Sequence, residues 1–182
     1  FETSPARSYD GKGFISSSVS YPEYRVVADV SGQPESFALY GTEELTLLRG
    51  QSREQVRGVF ASASYFPLLG VRPALGRLYT PIEDSVGQGA RVVVASHRFW
   101  TQRLGGDTAA IGQQLNVEYQ NYTLIGVLEP EFEGLELQAS DLWFPPASAP
   151  GFRAGWWTNP NVNGFRAFFR RAPSTAPDAV DR

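Results

Sequence analysis

The residues that could do chemistry in this chain are few, and their spacing is poor for it. His97 is the only histidine, so any Ser-His-Asp triad must pass through it. Its sequence neighbour Ser96 is badly placed for a base that has to accept the nucleophile's proton, and no G-x-S-x-G elbow exists. Ser96 and His97 read instead as the cap and first turn of a helix. There is no cysteine, which excludes disulfides, thiolate chemistry and cysteine-held metals, and one histidine cannot supply the ligands of a histidine-based zinc site. Lys12, between Gly11 and Gly13, fits no phosphate-binding loop, and no G-x-G-x-x-G follows a strand.

Two clusters remain. Glu129, Glu131, Glu133, Glu136 and Asp141 gather in "EPEFEGLELQASD". Paired acids could hydrolyse a glycoside and several oxygens could hold calcium, but the spacing matches no calcium loop, and a solvated acidic turn is the plainer reading. Phe152, Trp156, Trp157 and Asn161 lie in "GFRAGWWTNPNVNGF" (151–165), which reads as an exposed, aromatic-rich loop able to stack on a sugar or a partner. Adjacent tryptophans point apart in an extended chain, so at least one should be packed. "NYT" (121–123) matches a glycosylation acceptor, which matters only in a eukaryotic source. The sequence therefore names no catalytic, cofactor-binding or metal-binding residue.

Composition agrees. With 42% hydrophobic and 19% charged residues over 182 positions, the chain can bury a core as one domain or two small interleaved ones. A net charge of −3 argues against nucleic acid as a partner, since sequence-independent binding needs a basic face. No run approaches the ~18 apolar residues of a membrane span. The chain has no methionine and opens on Phe1, as a segment cut from something longer or a processed form would.

The elements that must position these residues follow from periodicity and punctuation. The first thirteen residues are turn-rich, with Asp10-Gly11 a tight-turn pair. Residues 20–30 read as a helix with Ser20 as cap, Pro22 in the first turn and Glu23 at the positive end of the dipole; Gly32 can end it. Strands are expected at 36–50, bent at Gly41, and at 54–66, joined antiparallel through "RGQSR". A short strand at 91–96 leads into a helix with Phe99, Trp100 and Leu104 on its apolar face, stopped by Gly105-Gly106. Residues 111–130 give the clearest hairpin: Leu115, Val117 and Tyr119 alternate before a turn at Gln120-Asn121, and Tyr122, Leu124 and Ile125 resume. A short strand at 140–147 ends in prolines, 164–172 forms another, and "STAPDAVDR" starts a helix. Strands and short helices are mixed, so the fold class is α+β, with mixed sheets.

One stretch, "SYFPLLGVRPALGRLYTPIED" (64–84), combines apolar anchors with Gly70, Pro73 and Gly76-Arg77. "YFPLLG" is ambiguous between a helical turn and a strand end, but the whole stretch reads as a corner: the aromatics seat it, Gly70 permits a reversal and Pro73 stiffens the exit. In order along the chain, "SYPEYRVV", "GVFASASYFPLLGVRPALGRLYTPIED", "RVVVASHRFWTQRLGGDTAAIG" with the hairpin after it, "DLWFPP" and "FRAFFRRAPSTAPDA" resemble the motifs of the MacB-like periplasmic core domain of bacterial ABC-type permeases. The resemblance spans roughly residues 18 to 180. Ala63-Ser64 stand where the family usually has Gly-Asn, and Ser174 where it commonly has glycine.

That resemblance implies one extracytoplasmic core domain over 1–182, on the periplasmic side of the bacterial inner membrane. It would comprise a porter-like βαβ subdomain (1–68 with 151–182) and an inserted β/α, Sabre-like subdomain (69–150). It implies a non-enzymatic part that couples cytosolic ATP hydrolysis to export or mechanotransmission. Its partners would be membrane helices of the same polypeptide, a cytosolic ATPase unit, and a second permease or periplasmic protein. Movement as a body requires the two chain ends to lie near each other on the membrane-proximal side. The alternatives are a carbohydrate- or peptide-binding module using the 152–161 aromatics, and a hydrolase using the 129–141 acids.

Overall fold

The computed structural model describes residues 7–9, 13–30, 36–87, 90–150, 155–162 and 164–170. Among the described residues, ten strands join in one mixed sheet with three short helices, the α+β class expected. The strands are β1 (Arg7–Tyr9), β2 (Gly13–Val19), β3 (Phe37–Arg49), β4 (Ser52–Ala61), β5 (Pro73–Gly76), β6 (Val92–Ala95), β7 (Gln114–Val117), β8 (Gln120–Leu128), β9 (Leu142–Phe144) and β10 (Phe165–Arg170). The helices are α1 (Tyr21–Val30), α2 (Tyr65–Leu69) and α3 (His97–Arg103).

The long β3–β4 hairpin organises everything. The base of β3 pairs with β10, which continues through β2 to β1. Its far half pairs with β7 through Leu47↔Val117 and Leu48↔Asn116. Going the other way, β4 pairs parallel with β9, β9 with β6, β6 parallel with β8, and β8 with β7. The pairings β3-β4-β9-β6-β8-β7 thus close on themselves into a six-strand ring.

Alternation along each strand fills that ring. Leu45, Leu47, Val56, Phe60, Phe144, Val93, Val117, Tyr122 and Leu124 share one core cluster, all nearly inaccessible to solvent. The intervening positions Tyr40, Val59, Ala61, Val94, Ile125 and Trp143 form a second cluster with Tyr65, Phe66, Val71 and Tyr79. One face of the strands therefore packs inward and the other is covered by α2 and the chain that follows it. The interior is filled with side chains.

The expected helix at 20–30 is α1, and its start is a capping box. The Glu23 carboxylate accepts from both the backbone N and Oγ of Ser20 at 2.8 Å, while Glu23 N donates to Ser20 Oγ. Tyr21, Tyr24 and Ala28 face the core, whereas Val27 and Val30 point outward. Ser96 caps α3 by accepting from Phe99 N at 3.0 Å, and Phe99 is buried with Trp100 and Leu104 packed beside it.

Several expectations need correction. The turn-rich opening holds two strands, β1 and β2, with Asp10, Gly11 and Lys12 outside the described residues. The pairing partners of β2 are β1 and β10, so tertiary context makes a strand of a serine-rich run. The strand expected over 54–66 ends at Ala61, and Tyr65 and Phe66 belong to α2. The hairpin turn is at Glu118-Tyr119, with Val117 opposite Gln120, not at Gln120-Asn121. Tyr119 is accordingly exposed. Strand β5 lies inside the stretch read as a corner. Gly32 and the expected final helix, including Ser174, lie outside the described residues.

Candidate functional site

The residues singled out for chemistry do not converge. His97 sits in the first turn of α3 with its ring edge-on to Trp100, centroids 5.3 Å apart, and Ser96 Oγ is occupied by the helix cap. Lys12 falls outside the described residues. Asn121 and Thr123 lie on β8, where their side chains accept from Asn116 and Gln114 across the hairpin.

The acids disperse into separate roles. Asp141 accepts from Arg98 Nη2 at 2.8 Å and from the backbone N of Arg57 at 3.0 Å, fastening the start of β9 between α3 and β4. Glu136 pairs with Arg166 beside the Tyr40 hydroxyl, along a shallow notch also lined by Gly41, Thr42 and Gly164. Glu129 and Glu131 are exposed or nearly so. Among the described residues no group of three acids or histidines is placed to hold a metal.

Within the aromatic segment, read as an exposed loop with at least one tryptophan packed, it is Trp156 that packs. Trp156 is buried, stacked on Phe165 at 5.4 Å and edge-on to Tyr21 at 5.2 Å, so it packs α1 onto the base of β10. Trp157 is half-buried against it, Asn161 is exposed, and Phe152 lies outside the described residues. A large ring next to two others buries more apolar area inside than it could present outside.

The polar groups that do converge lie in the stretch 61–87. The chain leaves β4, turns through Ser62-Ala63-Ser64, and forms α2, which ends at Gly70 with φ 74°. There Val71 N donates to Phe66 O and Gly70 N to Pro67 O, a left-handed helix stop. β5 then runs along β8, and Gly76 meets Gly126 so closely that a Cβ on Gly76 would lie 2.2 Å from Ile125 O. Only glycine allows that approach at φ 68°.

Beyond β5, residues 77–87 form a strap. Arg77 grips Glu83 with two hydrogen bonds of 2.8 and 2.7 Å. Glu83 also accepts from the backbone N and hydroxyl of Thr80, and its own N donates back to Thr80 Oγ1. The Arg77 hydrogen bonds, reinforced by Thr80, pull the Glu83 carboxyl down to about 2. Buried Tyr79 donates to Ala61 O at 2.7 Å, anchoring the strap to the end of β4. Asp84 behaves oppositely to its neighbour. Its Oδ2 accepts from Ala63 N at 3.0 Å, its Oδ1 is buried without a hydrogen-bond partner, and desolvation pushes the carboxyl up to about 7.

Sequence reasoning read this stretch as a corner, and the chain does reverse at Gly70, but the stretch also carries α2 and the ladder strand β5. It did not see that the terminal Glu-Asp pair is the fastening. The signal was available: Thr80-x-x-Glu83 is a capping-box pattern, and Arg77 stands six residues before the glutamate. The Ala63-Ser64 departure is also explained, since neither residue adopts a positive φ and Ser64 Oγ donates to Phe37 O.

Fold and site together define a mixed-sheet α+β domain whose motif residues are spent on turns, caps and packing. The family of MacB-like periplasmic core domains matches residues 4–182, and the chain belongs to it. It is an extracytoplasmic domain of a MacB-like ABC-type permease. The fold is similar to the periplasmic region of MacB from Actinobacillus actinomycetemcomitans (TM-score 0.60, 16% identity, covering 79% of this chain and 60% of that one). It is also similar to the extracellular domain of the noncanonic ABC-type transporter YknZ from Gram-positive bacteria (TM-score 0.57, 15% identity, 76% and 66% covered). A domain of a putative permease protein from Porphyromonas gingivalis gives TM-score 0.55 at 19% identity, with 80% and 59% covered. The chain thus spans about three fifths of the first of these structures. No curated protein matches it.

Proposed function

We propose that this domain is a non-enzymatic coupling element. It transmits movement between permease helices and an extracytoplasmic partner while a separate cytosolic unit hydrolyses ATP. The observation that carries this reading is the use made of the family's motif residues. Ser20 and Glu23 cap α1, Gly70 and Gly76 turn the chain, Arg77, Glu83 and Asp84 fasten the strap, and Ser96 caps α3. None of them is left over for a reaction. In this reading no residue of the chain is a catalyst or holds a cofactor or metal, and segments 1–68 with 151–182 and 69–150 move as one body, because the ring joins β3 to β7 and β4 to β9.

The placement of the outer strands supports the reading. β1 and β10 flank β2, with Tyr9↔Gly13 and Gly13↔Arg170 in register. The first and last described strands are therefore two strand spacings apart, roughly 10 Å, and run parallel to each other, so one part of the same sheet holds both, as a body that moves as a whole requires.

The test is the intact permease with its ATPase, reconstituted in vesicles. Replacing residues 7–170 with a flexible linker should leave basal ATP hydrolysis in place and abolish the transport or partner activation that hydrolysis drives. Retention of full coupled activity would sink the proposal.

A further inference from the structure

The cover over the outer face of the β3–β4 hairpin stops at Tyr40 and Val59. Beyond them the pairs Glu44↔Arg57, Thr46↔Gln55 and Leu48↔Arg53 turn outward, while Leu45, Leu47 and Val56 between them fill the ring. Two apolar side chains stand over this outer face, one at each end. Tyr119, 66% exposed, lies beside Arg53, whose guanidinium is 5.9 Å from the ring. Leu137, fully exposed, sits at the apex of a loop that Ser140 N closes on Glu133 O at 2.8 Å. Arg53 and Arg57 mark the two ends, four residues or roughly 13 Å apart along the strand.

An exposed leucine or tyrosine by itself is ordinary; these two are fixed in place. On one side of Leu137, Glu136 pairs with Arg166 beside the Tyr40 hydroxyl; on the other, Gln138 accepts from Arg57 Nη1 at 2.5 Å. Neither bond buries the leucine, and together they point it outward. Tyr119 keeps a φ of 61°, rare for a bulky residue, and Glu118 ties that turn to Thr46 through backbone and side chain alike. Anchors fixed before contact lose little freedom on docking, and a strained residue at an exposed tip points to use. The free charges at the two ends are opposite. Arg53 has no carboxylate partner among the described residues, and the neighbouring Glu118 is turned onto Thr46 N. At the Leu137 end Glu44 and Glu136 are paired with arginines, but the exposed Glu133 has no cation partner among the described residues. Thr46 and Gln55, between the ends, are neutral.

We propose that this face pairs with the same face of a second copy of the chain, Leu137 of each copy packing on Tyr119 of the other and Arg53 of each meeting Glu133 of the other. The arrangement is self-complementary. A two-fold axis that lies in the face and crosses the strands at Thr46 and Gln55 turns the hairpin end for end, so the cationic Tyr119 end of one copy meets the acidic Leu137 end of the other. Sheets packed face to face stand about 10 Å apart, a gap that one leucine and one tyrosine rising from opposite sides fill. So few residues a side make a contact at the small end for a freely formed dimer. Domains anchored in one membrane meet at an effective concentration of about millimolar, where a contact of that size is enough. The pairing stands whether or not the domain transmits movement.

The experiment is sedimentation equilibrium of the 182-residue chain at low salt, up to about 1 mM, where the unaltered chain should form dimers. Arg53→Glu places like charges opposite each other twice in a two-fold pair and should weaken the dimer about tenfold. Adding Glu133→Arg in the same chain restores opposite charges at both places and should recover most of that loss. The chain has no cysteine, so disulfides report the geometry directly. When Tyr119→Cys and Leu137→Cys chains are mixed under mild oxidation, the crossed 119–137 disulfide should form about tenfold faster than the 119–119 or 137–137 product. It should also outpace disulfides to Ile82→Cys, an exposed position on the 77–87 strap. All five altered side chains are exposed, and circular dichroism checks that each variant is folded. A chain that stays monomeric at about 1 mM, a charge exchange that recovers nothing, or crossed disulfides no faster than the others would each overturn the proposal.

Discussion

Two hairpins supply four of the ring's six strands, and their turns solve the same problem with different residues. β3–β4 turns through Gly50-Gln51, with positive φ only at Gly50 (61°), the pattern in which glycine takes the first central position. β7–β8 turns through Glu118-Tyr119, with φ of 48° and 61°, the pattern that ordinarily takes Asn-Gly. The first turn follows its local rule. The second breaks it twice, and a broken local rule calls for a compensating contact. For Glu118 that contact is present. Its N donates to Thr46 O at 2.9 Å and its Oε1 accepts from Thr46 N at 2.6 Å. The side chain extends the β7–β3 ladder past the last residue of β7, so the strained turn is also the seam that closes the ring.

The hardest way to break this contrast is at the opposite end of β8. A Cβ on Gly126 would lie 2.1 Å from Arg77 O, backbone against backbone. Gly126→Ala should force β5 away from β8 and destabilise the domain by about 3 kcal/mol, roughly 6–12 °C in melting temperature. Circular dichroism melting checks this, and a loss under about 1 kcal/mol would mean that the β5 edge carries little. Next comes the seam. Glu118→Ala should cost about 2 kcal/mol, because Thr46 N loses a charged acceptor. Glu118→Gln, which keeps an acceptor oxygen, should recover about half. Amide exchange at Thr46 should rise in the alanine variant and largely recover in the glutamine one. Equal losses in the two would assign the effect to the turn's backbone instead.

The contrast also explains what could be read in advance. Gly50 within "RGQSR" announced its turn. In the second hairpin Asn121 was the best turn former in view, so the expected bend fell two residues late and Tyr119 was counted inward. Register is set by what the ring buries, and that places Val117 opposite Gln120 with Tyr119 outside. Helices α1 and α3 were legible because Ser20, Glu23 and Ser96 cap locally. Strands β1, β2 and β5 were not, because short segments become strands only when a neighbour supplies the ladder. The same division runs through the strap. Its turns were visible in Gly70, Pro73 and Gly76, whereas the burial of Asp84 depends on α1 and the β4–α2 turn, far off in sequence.

The two smallest effects sharpen the comparison most, because they have opposite signs. Gly50→Ala places a Cβ in open space, so the only cost is the left-handed conformation, about 1 kcal/mol. Tyr119→Gly should release a similar strain but give up the contact in which the Arg53 guanidinium lies 5.9 Å from the Tyr119 ring. An exposed cation–π contact is worth about 0.5 kcal/mol, so the net gain should be only a few tenths. The double-mutant cycle separates the two terms. In an Arg53→Ala background the contact is already gone, and Tyr119→Gly should then stabilise by about 0.5 kcal/mol more than in the unaltered chain, read by urea unfolding. Equal gains in both backgrounds would leave Tyr119 without an internal reason for standing in a conformation that glycine fits better, and its retention would then have to be sought in a contact outside this chain.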